Sequence, residues 1–328
     1  MSHNIFDQRF YAHRAPAWHR LGYVSEEDHS AVEAAQIIGL PNIYERPIAA
    51  KDDRFYMPIA GYKAIVGVSQ IDGKPKASTY AVVGDQYEVI THDQFADLFH
   101  RATGSRVETM GLLGEGETLF LTAPLSTIDV RGDEVNNYLM TLNPLNGRWA
   151  IQARVTSVRV VCNNTLMMAL KEKTTRALRI RHNQAKVADQ VETWLRVAWS
   201  QTEGMTQLLK EAYGAMARFQ VIPDQVAETL ETIYPTPDEP QQADEKARQA
   251  WEKEREAQQS HQQTVMALFE GSQTNSPATI GTAWGLYNGV VEYEDFARPR
   301  SNARSRVFGA GADRKAKAFD HLYTLSRQ

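Results

Sequence analysis

A turn between two strand-like segments is the feature that most constrains how this chain can fold. Residues 143–147 read Asn-Pro-Leu-Asn-Gly, a combination that strongly favours a tight turn. Residues 138–142 precede this turn, and in residues 149–155 after it every second side chain is apolar, as on a strand with one buried face. These apolar positions are Trp149, Ile151, Ala153 and Val155. The sequence therefore predicts an antiparallel hairpin.

A change of period follows the second strand. The apolar alternation shifts by one residue at Ser157, which predicts a β-bulge or a bend there. Asn163 and Asn164 are good N-cap residues for a helix. Apolar residues then recur at helical spacing, at Leu166, Ala169, Leu170, Ala177 and Ile180. We therefore predict a strand that leads into a helix with one buried face and one basic face.

The remaining pattern indicates the α+β class. Residues 80–182 read as β-β-α-β-β-β-β-α with antiparallel connections, which is typical of a curved antiparallel sheet with hairpins and packed helices. One of these helices is predicted at His92–Thr103, with Thr91 as its N-cap. Beyond residue 183 the apolar spacing is mainly helical.

Three regions are predicted from these patterns. Residues 1–182 form a sheet-and-helix domain, and residues 183–297 form a helical region. Residues 236–263, rich in Pro, Gln, Glu and Lys, interrupt the helical region either as a polar helix or as a solvated, mobile excursion. Residues 298–328 form a basic tail that we expect to be flexible until it is bound.

Composition limits the cellular setting. No apolar run approaches the roughly 18 residues of a membrane span, and the first 20 residues lack the apolar centre of a secretion signal. The single cysteine, Cys162, excludes an intramolecular disulfide and suits a reducing compartment. We therefore expect a cytoplasmic protein with no membrane partner.

Charge is distributed unevenly along the chain. The net charge is −4, yet residues 148–186 contain nine Lys or Arg residues and one acid, Glu172. Phosphates require several cations along a track, and bases stack on aromatic or guanidinium groups, for which Trp149 or Tyr138 is available. The alternative is that such runs are solvated faces. The candidate nucleic-acid-binding residues are Arg148, Arg154, Arg159, Lys171, Lys173, Arg176, Arg179, Arg181 and Lys186.

Catalytic motifs are weak or absent in the sequence. There is no Walker A loop, no GxGxxG at the start of a βα unit and no zinc-binding histidine pattern. Cys162 near a helix start could be a nucleophile, but a small buried hydrophobic residue is the favoured interpretation. The acids at 52–53 and at 292–295 could bind a metal, although structural or surface charge is favoured. We therefore predict no catalytic residue, no cofactor and no metal.

Several motifs together resemble a known family. Residues 159–166, RVVCNNTL, with Ala169-Leu170, resemble the signature of a phage- and plasmid-associated family, domain of unknown function 932. Residues 17–22 are similar to its N-terminal Trp-His…Leu-Gly motif, and residues 281–288 with Glu292-Tyr293 are similar to its C-terminal motif. The family has no agreed activity. The resemblance implies a bacterial mobile-element setting, such as a phage or prophage.

Three functional hypotheses follow. The first is a phage-type protein that binds single-stranded DNA, self-associates and anneals or recombines strands, with the basic strand and helix gripping the backbone. It is an analogy of architecture with phage annealing proteins. The second is a metal-dependent enzyme that acts on nucleic acid or nucleotides. The third is a non-enzymatic phage–host interaction protein whose basic tail binds an acidic partner.

Overall fold

The structure is a computed structural model that describes residues 5–14, 21–52, 54–159, 165–166, 178–182, 187–241, 244–271, 276–299 and 309–328. The strands are β1 Ile5–His13, β2 Tyr23–Ser25, β3 Asn42–Lys51, β4 Tyr56–Ile71, β5 Lys74–Gly84, β6 Thr109–Leu113, β7 Thr118–Asp129, β8 Glu134–Pro144, β9 Ile151–Arg159, β10 Thr165–Leu166 and β11 Leu178–Ile180. The helices are α1 Ala31–Ile38, α2 His92–Thr103, α3 Val187–Ser200, α4 Thr202–Arg218, α5 Pro223–Ile233, α6 Glu245–Gly271, α7 Ala283–Glu292 and α8 Ala310–Leu325. A π-helical turn, Tyr293–Ala297, directly follows α7.

The architecture confirms the predicted α+β class. Eight of the described strands form one sheet in the order β10-β9-β8-β7-β6-β1-β2, with β11 also paired to β9. All its pairs are antiparallel except β1 with β2. Strands β3, β4 and β5 form a second, antiparallel sheet. The second half of the chain is mainly helical.

The predicted hairpin at residues 143–147 is present. Strands β8 and β9 pair antiparallel from Val135 opposite Arg159 to Leu142 opposite Gln152. Gly147 has a φ of +67°, a backbone conformation that glycine adopts without a steric penalty. The turn packs on the second sheet, because Leu145 is fully buried against Ile65 and Val83.

Of the two irregularities predicted at Ser157, a β-bulge or a bend, the β-bulge is wrong. The register of β8 and β9 is continuous through this residue, so Ser157 lies opposite Asn137 and stays in phase with Val155. A polar side chain can occupy this buried position because its hydrogen bonds are satisfied. The Ser157 hydroxyl donates to Asn137 Oδ1 and accepts from the Tyr213 hydroxyl at 2.9 Å.

The helix predicted after Asn163 and Asn164 is wrong wherever the chain is described. Thr165–Leu166 is strand β10 and Leu178–Ile180 is strand β11, and both pair antiparallel with β9. A Leu-Arg-Ile triplet fits a strand as well as a helix, so the hydrogen-bond partner along the edge of β9 decides its conformation. Cys162, Asn163, Asn164 and residues 167–177 lie outside the described residues.

The first hydrophobic core lies between one face of the large sheet and helices α1, α2 and α3. The predicted helix α2 is present with the predicted bounds, and Thr91 caps it in a capping box with Gln94. Ser30 caps α1 in the same way with Glu33. The buried residues of this core include Tyr11, Phe95, Phe99, Leu119, Leu121, Ile151, Val191 and Leu195.

The second hydrophobic core lies among the later helices, but strands also contribute to it. Ile128 of β7, Val135 of β8 and Val155 of β9 pack with side chains of α4, α5, α7 and α8. The rings at its centre are Tyr213, Trp284, Tyr287 and Phe319. Strands β7 to β9 therefore contact both cores, and whether residues 1–182 and 183–297 are independent domains stays a prediction.

The prediction of a flexible tail at residues 298–328 is wrong for its last part. Ala310–Leu325 is helix α8, and its Ala318, Phe319 and Leu322 are buried in the second core. The basic composition suggested a solvated tail, but Lys315 is itself fully buried, with its Nζ 2.7 Å from Asp295 Oδ1. The apolar stripe and this ion pair fix α8 on the protein.

The polar segment at residues 236–263 was predicted to be either a polar helix or a mobile excursion, and it contains a helix. Residues 245–263 form most of α6, whose side chains are largely exposed, and Val265 further along is its one fully buried residue. Trp251 Nε1 donates to the Pro237 carbonyl at 3.0 Å, which ties the helix to the segment before it. Within the described ranges, no helix has the length and apolar character needed to cross a membrane.

We predict that Phe319→Ala destabilises the protein by about 3–5 kcal/mol, because it leaves a cavity among three rings. The Phe319 ring centroid lies 6.0 Å from Tyr213 and 5.6 Å from Tyr287. The matched control is Lys317→Ala on the exposed side of α8, which should change the free energy of unfolding by less than about 0.5 kcal/mol. Urea unfolding measures both values, and equal stability of the two variants would contradict the packing of α8.

Acidification should destabilise the fold through His92, the first residue of α2. Its Nε2 donates to the Gly116 carbonyl at 2.9 Å, and the ring is fully buried. Burial lowers the pKa of His92 from 6.5 to about 4, against a smaller opposing effect of that hydrogen bond. As the pH falls, the unfolded chain therefore binds a proton at this imidazole before the folded chain does. The contribution of neutral His92 to the free energy of unfolding is fully present above pH 6.5 and is lost progressively as the pH falls towards 4.

The measurement compares His92→Gln with the natural chain in urea unfolding at neutral and acidic pH. On acidification, the free energy of unfolding of the natural chain should fall by up to about 3 kcal/mol more than that of the variant. His321→Gln is the control, because it removes another imidazole and leaves the contacts of His92 intact. A variant that is as acid-sensitive as the natural chain would show that His92 does not supply this dependence.

Candidate nucleic-acid interface

The predicted cations are centred on β9, whose two faces differ sharply. Ile151, Ala153 and Val155 are buried and face the helices. Gln152 and Arg154 lie on the opposite face, which we call the outer face, and both are partly exposed. Met140, opposite Arg154 on β8, is buried. Arg154 is therefore a partly covered residue of the outer face.

Strand β11 pairs with β9 beside these residues. The backbone of Arg179, a second predicted cation, is opposite Gln152 in this ladder. The backbone of Arg159 pairs with Val135 at the far end of β9, away from the β8–β9 turn.

Two further cations lie at the turn end of β9. Arg148 is exposed in the β8–β9 turn, and Arg181 is exposed directly after β11, whose Ile180 pairs with Ile151. Because β11 runs antiparallel to β9, Arg181 lies towards the turn that holds Arg148. In the part of the chain that the structure describes, no carboxylate forms an ion pair with Arg148 or Arg181.

Local contacts fix the backbone at both exposed arginines. Asn146 Oδ1 accepts hydrogen bonds from the backbone N–H groups of Arg148 and Trp149, at 3.0 and 3.2 Å. Next to Arg181, the His182 ring stacks on Tyr87 with centroids 4.6 Å apart. These contacts hold the two arginines on a rigid support, which lowers the entropy lost when they bind a ligand.

Residue 88 anchors the same region from a distant part of the chain. The Glu88 N–H donates to the His182 carbonyl at 2.7 Å, and Glu88 Oε2 accepts from the Val187 N–H at the start of α3. The pKa of His182 is lowered, mainly because the ring is buried. These residues could not be predicted from the sequence, since nothing in the local pattern connects positions that are 94 residues apart.

The remaining predicted residues are placed as follows. Lys171, Lys173, Arg176 and Lys186 lie outside the described residues. The structure therefore places four of the nine predicted positions, 148, 154, 179 and 181, in the β9–β11 ladder or directly next to its turn end. The proposed stacking residues Tyr138 and Trp149 are only partly exposed, and burial raises the pKa of Tyr138 to about 12.

Two of the acids considered as metal ligands, Glu294 and Asp295, form ion pairs. Glu294 in the π-helical turn is fully buried and bonds Arg314 at 2.7 Å and Arg298 at 2.9 Å. The Tyr234 hydroxyl also donates to Glu294 Oε1, at 2.9 Å. Burial acts to raise the pKa of Glu294, but the hydrogen bonds and charges of the two arginines outweigh it and lower the pKa.

This ionic cluster attaches α8 to the π-helical turn, so its evident role is structural. Of the acids at 52–53, Asp52 is exposed and Asp53 lies outside the described residues. Within the described ranges, no three His, Cys, Asp or Glu side chains converge in a way that could hold a metal ion.

Comparison with known proteins identifies the family. The model of the family called Domain of unknown function (DUF932) matches residues 79–320, well over half of the chain. The protein therefore belongs to the DUF932 family, as its motifs indicated. The matched residues include β9, β11 and all helices from α2 to α7, whereas β3 and β4 precede them. No curated protein and no solved structure matches the chain.

Proposed function

We propose that this protein binds single-stranded DNA at the turn end of the β9–β11 ladder. The observation that carries the proposal is the exposure of Arg148 and Arg181 at the same end of two paired strands, with the partly exposed Arg154 further along β9. Arginine suits this role because its planar guanidinium binds phosphate with two hydrogen bonds and stacks on bases.

The proposed mode of binding is positioning without catalysis. From Arg181 to Arg154 the ladder covers about four residues, or roughly 13 Å, which is enough for several consecutive phosphates. Cations on a fixed strand ladder would hold a strand by its backbone and leave base edges available for pairing. In the phage or prophage setting that the motifs imply, this activity would support strand annealing or recombination in the host cytoplasm.

The test is fluorescence anisotropy with a labelled single-stranded oligonucleotide at several salt concentrations. The natural chain should bind at low salt and lose affinity steeply as salt rises, because binding releases condensed counterions. The double variant Arg148→Ala/Arg181→Ala should bind more weakly, with a salt slope smaller by about 1.4, since each single-strand phosphate contact contributes about 0.7.

The matched control removes the same two charges elsewhere. Arg101 and Arg196 are half-exposed on α2 and α3, where both contact Glu192. Arg101→Ala/Arg196→Ala should keep the salt slope of the natural chain. No binding at low salt, or an equal loss in both double variants, would refute the proposal. Turnover of DNA with Mg²⁺ or Mn²⁺ would instead favour a nucleic-acid enzyme, the second hypothesis from the sequence.

A further inference from the structure

The second sheet extends into a two-stranded projection that no other described element supports. Strands β4 and β5 pair only from Tyr62 opposite Gly84 to Ile71 opposite Lys74. Beyond Tyr62, the first residues of β4 pair with β3 alone, from Ala49 opposite Pro58 to Lys51 opposite Tyr56. We call residues 47–62 the β-arm.

The β-arm has no hydrophobic core of its own. Every described residue from 49 to 62 is exposed, and no residue of the β-arm belongs to any of the three cores. Its large apolar side chains are nevertheless prominent. The exposed fractions are 54% for Phe55, 70% for Tyr56, 47% for Met57, 43% for Ile59 and 54% for Tyr62.

Such a surface is unusual for a monomer in water. A two-stranded hairpin without further support is marginally stable at best, and a contiguous apolar patch on a soluble protein marks an interaction site. Apart from the four charged residues 51–54 at the tip, the β-arm residues are aliphatic, aromatic or small. The sequence from 47 to 62 is PIAAKDDRFYMPIAGY. Covering this surface would remove apolar area from water and support the hairpin at the same time.

Charge and backbone chemistry limit what can cover the β-arm. Its charged residues are Lys51, Asp52, Asp53 and Arg54, so its net charge is zero and it offers no cationic track for a nucleic acid. Pro47 and Pro58 lack a backbone N–H, which hinders addition of a further strand along the edges. The contact must therefore be made by side chains on the faces, with a neutral apolar partner.

We propose that the β-arms of two copies of this chain pack against each other. A neutral tip with two acids and two bases can meet an identical tip without like-charge repulsion, as a two-fold interface requires. Successive side chains such as Tyr56 and Met57 point to opposite faces of β4, so the two β-arms must wrap around each other to cover both faces. The five large side chains expose roughly 500 Å² per copy over the two faces, so burial of both faces in both copies removes roughly 1,000 Å². That area reaches the lower limit of a specific interface, and Ala49, Ala50 and Ala60 between them permit close approach.

The first experiment measures the mass of the full chain by sedimentation velocity at micromolar concentration. High salt and nuclease treatment exclude bridging by nucleic acid. The natural chain should be a dimer or a larger assembly of dimers. Met57→Ser/Ile59→Ser should weaken association at least about tenfold, because it removes two apolar contacts from the centre of the patch.

The matched control is Ile222→Ser/Ile280→Ser, which alters two aliphatic side chains with exposed fractions of 56% and 55% outside the β-arm. It should leave the association constant unchanged. Both double variants should keep the far-ultraviolet circular dichroism spectrum of the natural chain, since neither alters a residue of a core. A monomeric natural chain, or equal weakening by both double variants, would overturn the proposal.

A second measurement separates arm-to-arm contact from docking of the β-arm elsewhere. In a Cys162→Ser background, Tyr56→Cys should give a covalent dimer with a short bis-maleimide cross-linker, and Ile222→Cys should not. Absence of the Tyr56→Cys cross-link in an associated protein would overturn arm-to-arm packing. These outcomes are independent of DNA binding, so either proposal can fail alone.

Discussion

The structure depends on three long strands, β7, β8 and β9, that are buried in two hydrophobic cores at once. Near the β8–β9 turn, Leu121, Leu139 and Ile151 pack under α1, α2 and α3. Towards the other end, Val135 and Val155 pack with the later helices. A strand is rigid over this distance because its ladder hydrogen bonds are shared with both neighbours. The position of the helical half is therefore set by the same backbone that supports the candidate interface.

Buried polar contacts at the junction make this arrangement specific. The Tyr213 hydroxyl of α4 donates to Ser157 of β9, and Trp284 Nε1 of α7 donates to Asp133 Oδ2 beside β8 at 2.8 Å. A buried polar group without a hydrogen-bond partner would be costly here. The helices are therefore held in the position that forms both hydrogen bonds. The inner face of the sheet is thereby filled, and the exposed predicted cations lie at the turn end of β9, close to the second sheet and far from the helical core.

Local chemistry could be predicted from the sequence, whereas long-range pairing could not. The turn at residues 143–147 and helix α2 with its Thr91 cap depend on neighbouring residues, and both were predicted. The conformation of Leu178–Ile180 depends on the edge of β9, and the same pairing places Arg181 towards the turn that holds Arg148. In α8 the apolar spacing was readable, but the burial of Lys315 follows from Asp295, 20 residues earlier. Composition alone suggested a flexible tail there.

The sharing of strands between the two cores is tested most directly by native-state hydrogen exchange of Leu322→Ala. Leu322 is fully buried in the second core, whereas α2 packs only in the first. If β7 to β9 couple the cores, loss of about 2–5 kcal/mol at Leu322 should lower the opening free energy of the α2 amides by the same amount. Unchanged protection of α2, with loss confined to the helical half, would contradict the account.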